Sequence, residues 1–225
     1  MPHKYLTLHT ADGQTLGAYL AEPEGKPKGG IVVVQEIFGV NAHIRSVADG
    51  YAAAGYLAIA PAVFDPLEKN VELGYDGPGM QKGVALVSAL GFDRALASVQ
   101  AAAQAVSTAG KVGVVGYCWG GSIAYLASIR AGMPAVSYYG GRNVQLVKEQ
   151  AQGPLQFHYG LRDAHISEAD REAVRAANPT AEFYVYDADH GFNCDARASY
   201  DPAAAQLARE RALAFFARHL GVCRT

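Results

Sequence analysis

The chain has 225 residues, half of them hydrophobic and 18% charged, with a formal net charge of −2. That length and apolar content suit one large α/β domain with a sizeable core. Basic residues stand singly and the acidic ones form no tail, which argues against a nucleic-acid binder and against a solvated, disordered segment.

The N-terminus, Met1-Pro2-His3-Lys4-Tyr5, has no apolar core of the signal-peptide kind. Tyr5, Thr7 and His9 alternate, Asp12-Gly13 marks a turn, and a second run goes from Thr15 to Ala21, which predicts an antiparallel hairpin. Residues 22–30 carry Pro and Gly but lead straight into a strand, so they read as a loop and not as a domain boundary. Six short apolar runs follow, at 31–34, 57–60, 112–115, 135–138, 155–159 and 183–186. Runs of that length bounded by turn residues suit strands buried on both faces of a parallel sheet.

Helical spacing lies between them. Ile44, Val47, Ala48 and Tyr51 fall on one face, as do Leu96, Val99, Ala103 and Val106. Ser167-Glu168-Ala169-Asp170 resembles a capping box, and Asp201-Pro202 opens a last helix with the stripe Ala204, Leu207, Ala208, Ala212, Phe215 and Phe216. The segment 65–83, rich in Gly and Pro, reads as one long loop. The longest apolar stretch, 51–64, contains Gly55 and Pro61 and is too short for a bilayer, which needs roughly 18 or more apolar residues. Strand and helix alternate, so the expectation is a single α/β domain over 1–225, with about eight strands in a mostly parallel sheet. The three cysteines, Cys118, Cys194 and Cys223, are odd in number and lack metal-ligand spacing, which fits free thiols in a reducing cytoplasm.

The most informative stretch is Gly116-Tyr117-Cys118-Trp119-Gly120-Gly121, between an apolar strand and a helix-forming run. In an α/β-hydrolase the nucleophile sits on a sharp strand-to-helix turn that demands small residues two before and two after it. Gly116 and Gly120 fill those positions, and Cys118 stands where the nucleophile belongs. The helix N-terminus favours a thiolate, and the N–H of Trp119 is placed to help hold an oxyanion. The plain alternative is a structural cysteine buried in a tight glycine turn.

The order nucleophile, acid, histidine is met by Asp163, just past the 155–159 strand, and His190, just past the 183–186 strand. Other readings stand beside these: Asp163 as a helix cap, Asp189 as the acid, His165 as the base, Asp187 as a turn residue. A second oxyanion donor is expected from Gln35-Glu36-Ile37-Phe38-Gly39, with the N–H of Ile37 the choice. Glu36 is an acid at the end of a buried strand, where it needs a partner. Either Arg45 supplies a salt bridge, or Glu36 controls the protonation of the cysteine.

Gln35-Glu36-Ile37-Phe38-Gly39, Gly116-Tyr117-Cys118-Trp119-Gly120-Gly121, Gly160-x-x-Asp163 and His190-Gly191-Phe192 recur in order over nearly the whole chain. On these motifs the chain resembles the dienelactone hydrolase family, the carboxymethylenebutenolidases. The resemblance implies an α/β-hydrolase fold with helices on both faces and no large cap domain. It implies hydrolysis of dienelactone to maleylacetate through an acyl-cysteine, with the triad on Cys118, Asp163 and His190 and a thiol-regulating role for Glu36. No cofactor or metal is expected. The partner is a small ester or lactone, with no nucleic acid and no membrane, and the protein is a monomer or weak homo-oligomer.

One departure touches the substrate. The family's pattern has two arginines for a substrate carboxylate, one of them four residues after the histidine. Here that position is Cys194, Arg197 lies three further on, and Lys82 is the nearest base in place of the other. Lysine offers a point charge without the arginine fork. Phe38, Lys82 and Arg197 are therefore the substrate-binding candidates, and neutral esters or lactones are expected to compete with anionic ones. Two other classes remain open: a thiol redox or sensor protein, which would lack a C-x-x-C motif, and a silent binding protein on the same fold.

Overall fold

The computed structural model describes residues 2–221; Cys223 lies outside them. It is an α/β structure with an eight-stranded, mostly parallel sheet and five α-helices. The described residues fall into two compact units, 2–113 with 220–221, and 114–219.

The first unit holds strands β1 (His3–His9), β2 (Thr15–Ala21), β3 (Gly30–Val34) and β4 (Leu57–Pro61), with helices α1 (Ala42–Ala53) and α2 (Gly77–Ala105). β1 and β2 form the expected hairpin, His9 opposite Thr15, and β2 pairs antiparallel with β4. β3 lies parallel to β4 and is buried along its whole length, as a strand covered on both faces should be.

α2 differs from the expectation. The segment 65–83 is not one continuous loop: the helix begins at Gly77, capped by the Asp76 carboxylate, which accepts the Gly79 N–H at 2.8 Å. Pro78 sits in the first turn, where its missing N–H has no helical partner to lose. At Gly91 the backbone leaves helical values (φ 75°, ψ 174°), so α2 is two helical pieces joined at a residue that only glycine adopts at ease. By length and composition α2 could cross a bilayer, yet Val87, Leu90, Leu96 and Val99 are buried in the protein, and the helix packs on β1, β3 and β4. It is a core helix.

The second unit carries all but the first two residues of β5 (Val112–Tyr117), then α3 (Trp119–Ala131), β6 (Ala135–Tyr138), β7 (Leu155–Gly160), α4 (Glu168–Ala177), β8 (Glu182–Tyr186) and α5 (Pro202–Leu220) up to its last residue. β5, β6, β7 and β8 pair in that order, all parallel. The expected capping box at Ser167 and Asp170 is present, and Asp201 accepts the Ala204 N–H at 2.9 Å. Successive residues of β8 face opposite sides. Arg175 of α4 lies over Phe183, and Arg211 of α5 lies over Tyr184, so within this unit the two helices cover opposite faces. Parallel pairing brings the C-terminal ends of four strands to one edge, and that edge positions the chemistry.

Candidate active site

β5 ends at Tyr117 and α3 begins at Trp119, leaving Cys118 alone at the turn. Its backbone sits at φ 54°, ψ −121°. A non-glycine residue there costs on the order of 1–3 kcal/mol and persists only where its surroundings fix it. They do: a Cβ added at Gly116 would stand 1.8 Å from the Gly120 carbonyl oxygen, and the Cys118 N–H donates to the Tyr138 carbonyl at 3.0 Å. Gly121 also passes close to that carbonyl, 2.6 Å from an added Cβ. The thiol is half-buried, and Trp119, the first residue of α3, is buried.

His190 reaches two partners. Its Nδ1 lies 2.7 Å from Asp163 Oδ2, and its Nε2 lies 3.2 Å from Cys118 Sγ. A carboxylate only accepts, so Nδ1 carries the hydrogen and Nε2 faces the sulfur. The Asp163 side chain is fully buried, and its other oxygen accepts the His165 N–H at 2.8 Å. Arg171 of α4, buried, donates to the Ile166 carbonyl at 2.9 Å and so steadies the loop that carries Asp163. Burial of the imidazole opposes its charge. The charge of Cys118 and the hydrogen bond to Asp163 outweigh burial and push its pKa up to about 10.

The rival residues take other work. Asp189 accepts the backbone N–H of His190 at 2.6 Å. Asp187 is exposed and ion-paired with Arg162. His165 is exposed, its ring edge-on to His190 at 5.0 Å. On the other side the buried ring of Tyr139 stands 5.1 Å from His190. Neither Tyr139 nor Arg171 was singled out from sequence. Only the repeated Tyr138-Tyr139 before Gly140-Gly141 hinted at an unusual strand end.

Arg197 belongs to the same unit. A Cβ added at Gly191 would stand 2.6 Å from Arg197 Nη1 and 2.8 Å from Cζ, so the guanidinium is laid on the backbone of the residue after His190. Glu36, Ile37, Phe38 and Lys82 belong to the first unit. Glu36, Ile37 and Phe38 are all buried, and Phe38 packs on Tyr75 with ring centroids 4.5 Å apart. The Arg45 side chain reaches Glu72 at 2.7 Å and the Val40 carbonyl at 2.6 Å. Lys82 pairs with Glu68 at 2.6 Å on the exposed surface.

The chain matches the dienelactone hydrolase family over residues 16–220. It is 32% identical to the carboxymethylenebutenolidase of Pseudomonas putida, across 94% of this chain and 95% of that one. The carboxymethylenebutenolidase of Pseudomonas knackmussii matches at the same identity and coverage. A crystal structure from Klebsiella pneumoniae subsp. pneumoniae, provisionally named a dienelactone hydrolase, superposes with TM-score 0.80 at 33% identity, covering 97% of this chain and 100% of that one. An esterase from Pyrococcus furiosus shares the fold with TM-score 0.71 at 13% identity, covering 98% of this chain and 93% of that one.

Proposed function

From the premise that the chain belongs to the dienelactone hydrolase family, a family of hydrolases, we propose that it cleaves a small ester or lactone through an acyl-cysteine on Cys118. One observation carries this reading: His190 stands between a half-buried thiol and a buried carboxylate, 3.2 Å from one and 2.7 Å from the other. An imidazolium beside the sulfur is the partner an attacking thiolate needs.

The steps follow from those atoms. The sulfur of Cys118 adds to the carbonyl carbon, and the carbonyl π pair moves onto oxygen. The N–H of Trp119 holds that oxyanion, joined, on the family's sequence pattern, by the N–H of Ile37. As the tetrahedral species collapses, the C–O bond to the leaving oxygen breaks and His190 gives that oxygen its Nε2 proton. In a lactone the released hydroxyl stays on the acyl group. Water then attacks the thioester, and neutral His190 takes its proton. The carbon–sulfur bond breaks, leaving a carboxylic acid and the cysteine. Asp163 orients the ring and stabilises its charge at both stages. On the same sequence pattern, Glu36 is assigned as the restraint on the resting thiol.

For the substrate, dienelactone yielding maleylacetate is the reading the relatives' names favour. Arg197, on the backbone beside His190, is the cation best placed to meet a carboxylate on the acyl group. Lys82 is engaged with Glu68. The test is turnover of an aryl ester by Cys118→Ala and by iodoacetamide-treated enzyme. Both should lose at least about a thousandfold in kcat with the fold intact. Near-native turnover in Cys118→Ala would overturn the reading.

A further inference from the structure

Tyr138, the last residue of β6, and Tyr139, the next one along, serve the site differently. The Tyr138 carbonyl accepts the Cys118 N–H and so holds the turn on which the thiol stands. At Tyr139 the chain swings into the left-handed region, φ 38°. A bulky aromatic residue there is an outlier, and such strain gathers at functional sites. Its surroundings impose it. The Tyr139 N–H donates to the His158 carbonyl at 2.7 Å, and its side chain is fully buried. The next residue, Gly140, closes onto Asn143, whose Oδ1 would lie 2.3 Å from an added Cβ. The ring comes to rest 5.1 Å from His190, tilted by 59°, and 5.2 Å from Phe192, nearly perpendicular at 74°.

We infer that Tyr139 is a positioning residue: its strained backbone seats the ring as a dry wall against His190, which keeps the imidazole aligned through turnover. This rests on the function proposed above. The bond to Asp163 fixes one nitrogen and leaves the ring free to swing about it. In the resting site the sulfur fixes the other nitrogen. Once the sulfur is acylated, that second anchor is gone at the moment Nε2 must accept a proton from water. His165, the other ring against His190, is exposed and supplies no water-excluding wall. The charged and titratable groups around His190 are Asp163 and Cys118 on its nitrogens, Asp189 on its backbone N–H, the rings of His165 and Tyr139, and Arg197 over the next residue.

The experiment compares Tyr139→Phe with Tyr139→Asn. Phenylalanine keeps the wall, whereas asparagine accepts the left-handed backbone but removes the wall. Two readouts are needed: kcat and KM on an aryl ester, and the rate of Cys118 alkylation by iodoacetamide against pH. Tyr139→Phe should keep kcat and the pH profile of alkylation. Tyr139→Asn should lose about 10- to 100-fold in kcat through misplacement of the base, with KM within about threefold. Its alkylation midpoint should move to higher pH, because the imidazolium no longer stands firmly beside the sulfur. Tyr139→Gly, whose backbone tolerates the turn freely, must give the same result and serves if the asparagine variant does not fold. An equal loss in Tyr139→Phe would assign the effect to the hydroxyl and overturn the inference. So would a kcat loss in the ring-less variants with an unmoved alkylation profile, which is what general loosening gives. Turnover surviving in Cys118→Ala would instead bring down the proposed function itself.

Discussion

Two buried histidines in the second unit have opposite fates. His190 is held at the strand ends with its pKa pushed up to about 10. His158, in the middle of β7, is fully buried and pushed down to about 3, by burial first and by the charge of Arg211 second. The sheet register explains its surroundings: Tyr138 and Tyr184 lie directly opposite on the two neighbouring strands, and both rings stack on it. Its nitrogens meet Tyr186 Oη at 2.7 Å and Gln156 Oε1 at 2.8 Å. The amide oxygen can only accept, so Nε2–H donates to it and Nδ1 accepts from the tyrosine, a neutral ring fully satisfied. Burial acts against charge in both places. What separates them is the partner, a carboxylate and a thiol at His190 and only neutral groups on the His158 nitrogens.

The strongest way to break this contrast is to take away the carboxylate. Asp163→Asn leaves a hydrogen-bonding partner of the same shape but no charge. It should lower kcat by about 10³- to 10⁴-fold, as loss of the orienting acid does in triads generally. The same variant should lower the pH at which His190 titrates, read by NMR of the imidazole. If the two residues act as one unit, His190→Ala combined with Asp163→Asn costs little more than the worse single change. Additive losses would separate them.

The contrast is sharpened by acid. In the unfolded chain His158 takes up a proton near pH 6.5, whereas the folded protein refuses it until about pH 3. This contribution to stability is therefore complete above about pH 6.5 and is lost as the pH falls toward 3, at roughly 1.4 kcal/mol per pH unit. His158→Phe keeps a ring in the stack and removes the titration. It should be less stable at neutral pH, by about 1–3 kcal/mol for the unpaired Gln156 and Tyr186, and flatter between pH 6 and 3 in urea unfolding. An unchanged acid limb would show that other groups govern it.

The smallest expected effect concerns the arginines. Arg211, over Tyr184, belongs to the neutral histidine's surroundings, and Arg197, over Gly191, to those of the charged one. Arg197→Met should lower kcat/KM for a lactone bearing a carboxylate by about tenfold, the loss of one charge-assisted hydrogen bond, and leave its methyl ester unchanged. Lys82→Met should change neither. Equal losses on acid and ester would remove Arg197 from substrate recognition.

Much of this arrangement was legible in the residue order. Six apolar runs bounded by turn residues became β3 to β8, because buried parallel strands need continuous apolar side chains, and the alternating N-terminal segment became the hairpin of β1 and β2. The residues at 118, 163 and 190 were found because each follows a strand end, where the topology gathers them. The first half of α2 was missed because Gly77, Pro78, Gly79 and Gly83 read as breakers, although Asp76 caps that turn and the proline fits it. Tyr139 and His158 were invisible for a different reason. The role of His158 depends on which residues of β6, β7 and β8 lie abreast, and that of Tyr139 on the left-handed turn just past β6; both are set by packing that no local pattern records. Lys82 was offered as a substrate contact on sequence distance alone, and its surface partner, Glu68, lies fourteen residues away.

The turn at Cys118 has a consequence for descent. Gly116 and Gly121 are locked by contacts with backbone atoms, Gly116 against the Gly120 carbonyl and Gly121 against that of Tyr138, so no side chain can enter those positions without rebuilding the strand end. None of that geometry refers to sulfur. A serine would place its oxygen in the same spot, and the cysteine and serine codons are one nucleotide apart. Replacing the attacking atom is therefore a single mutational step, whereas moving the point of attack demands several simultaneous ones. Lineages built on this turn are free to diversify in nucleophile and pocket while the turn itself is inherited unchanged.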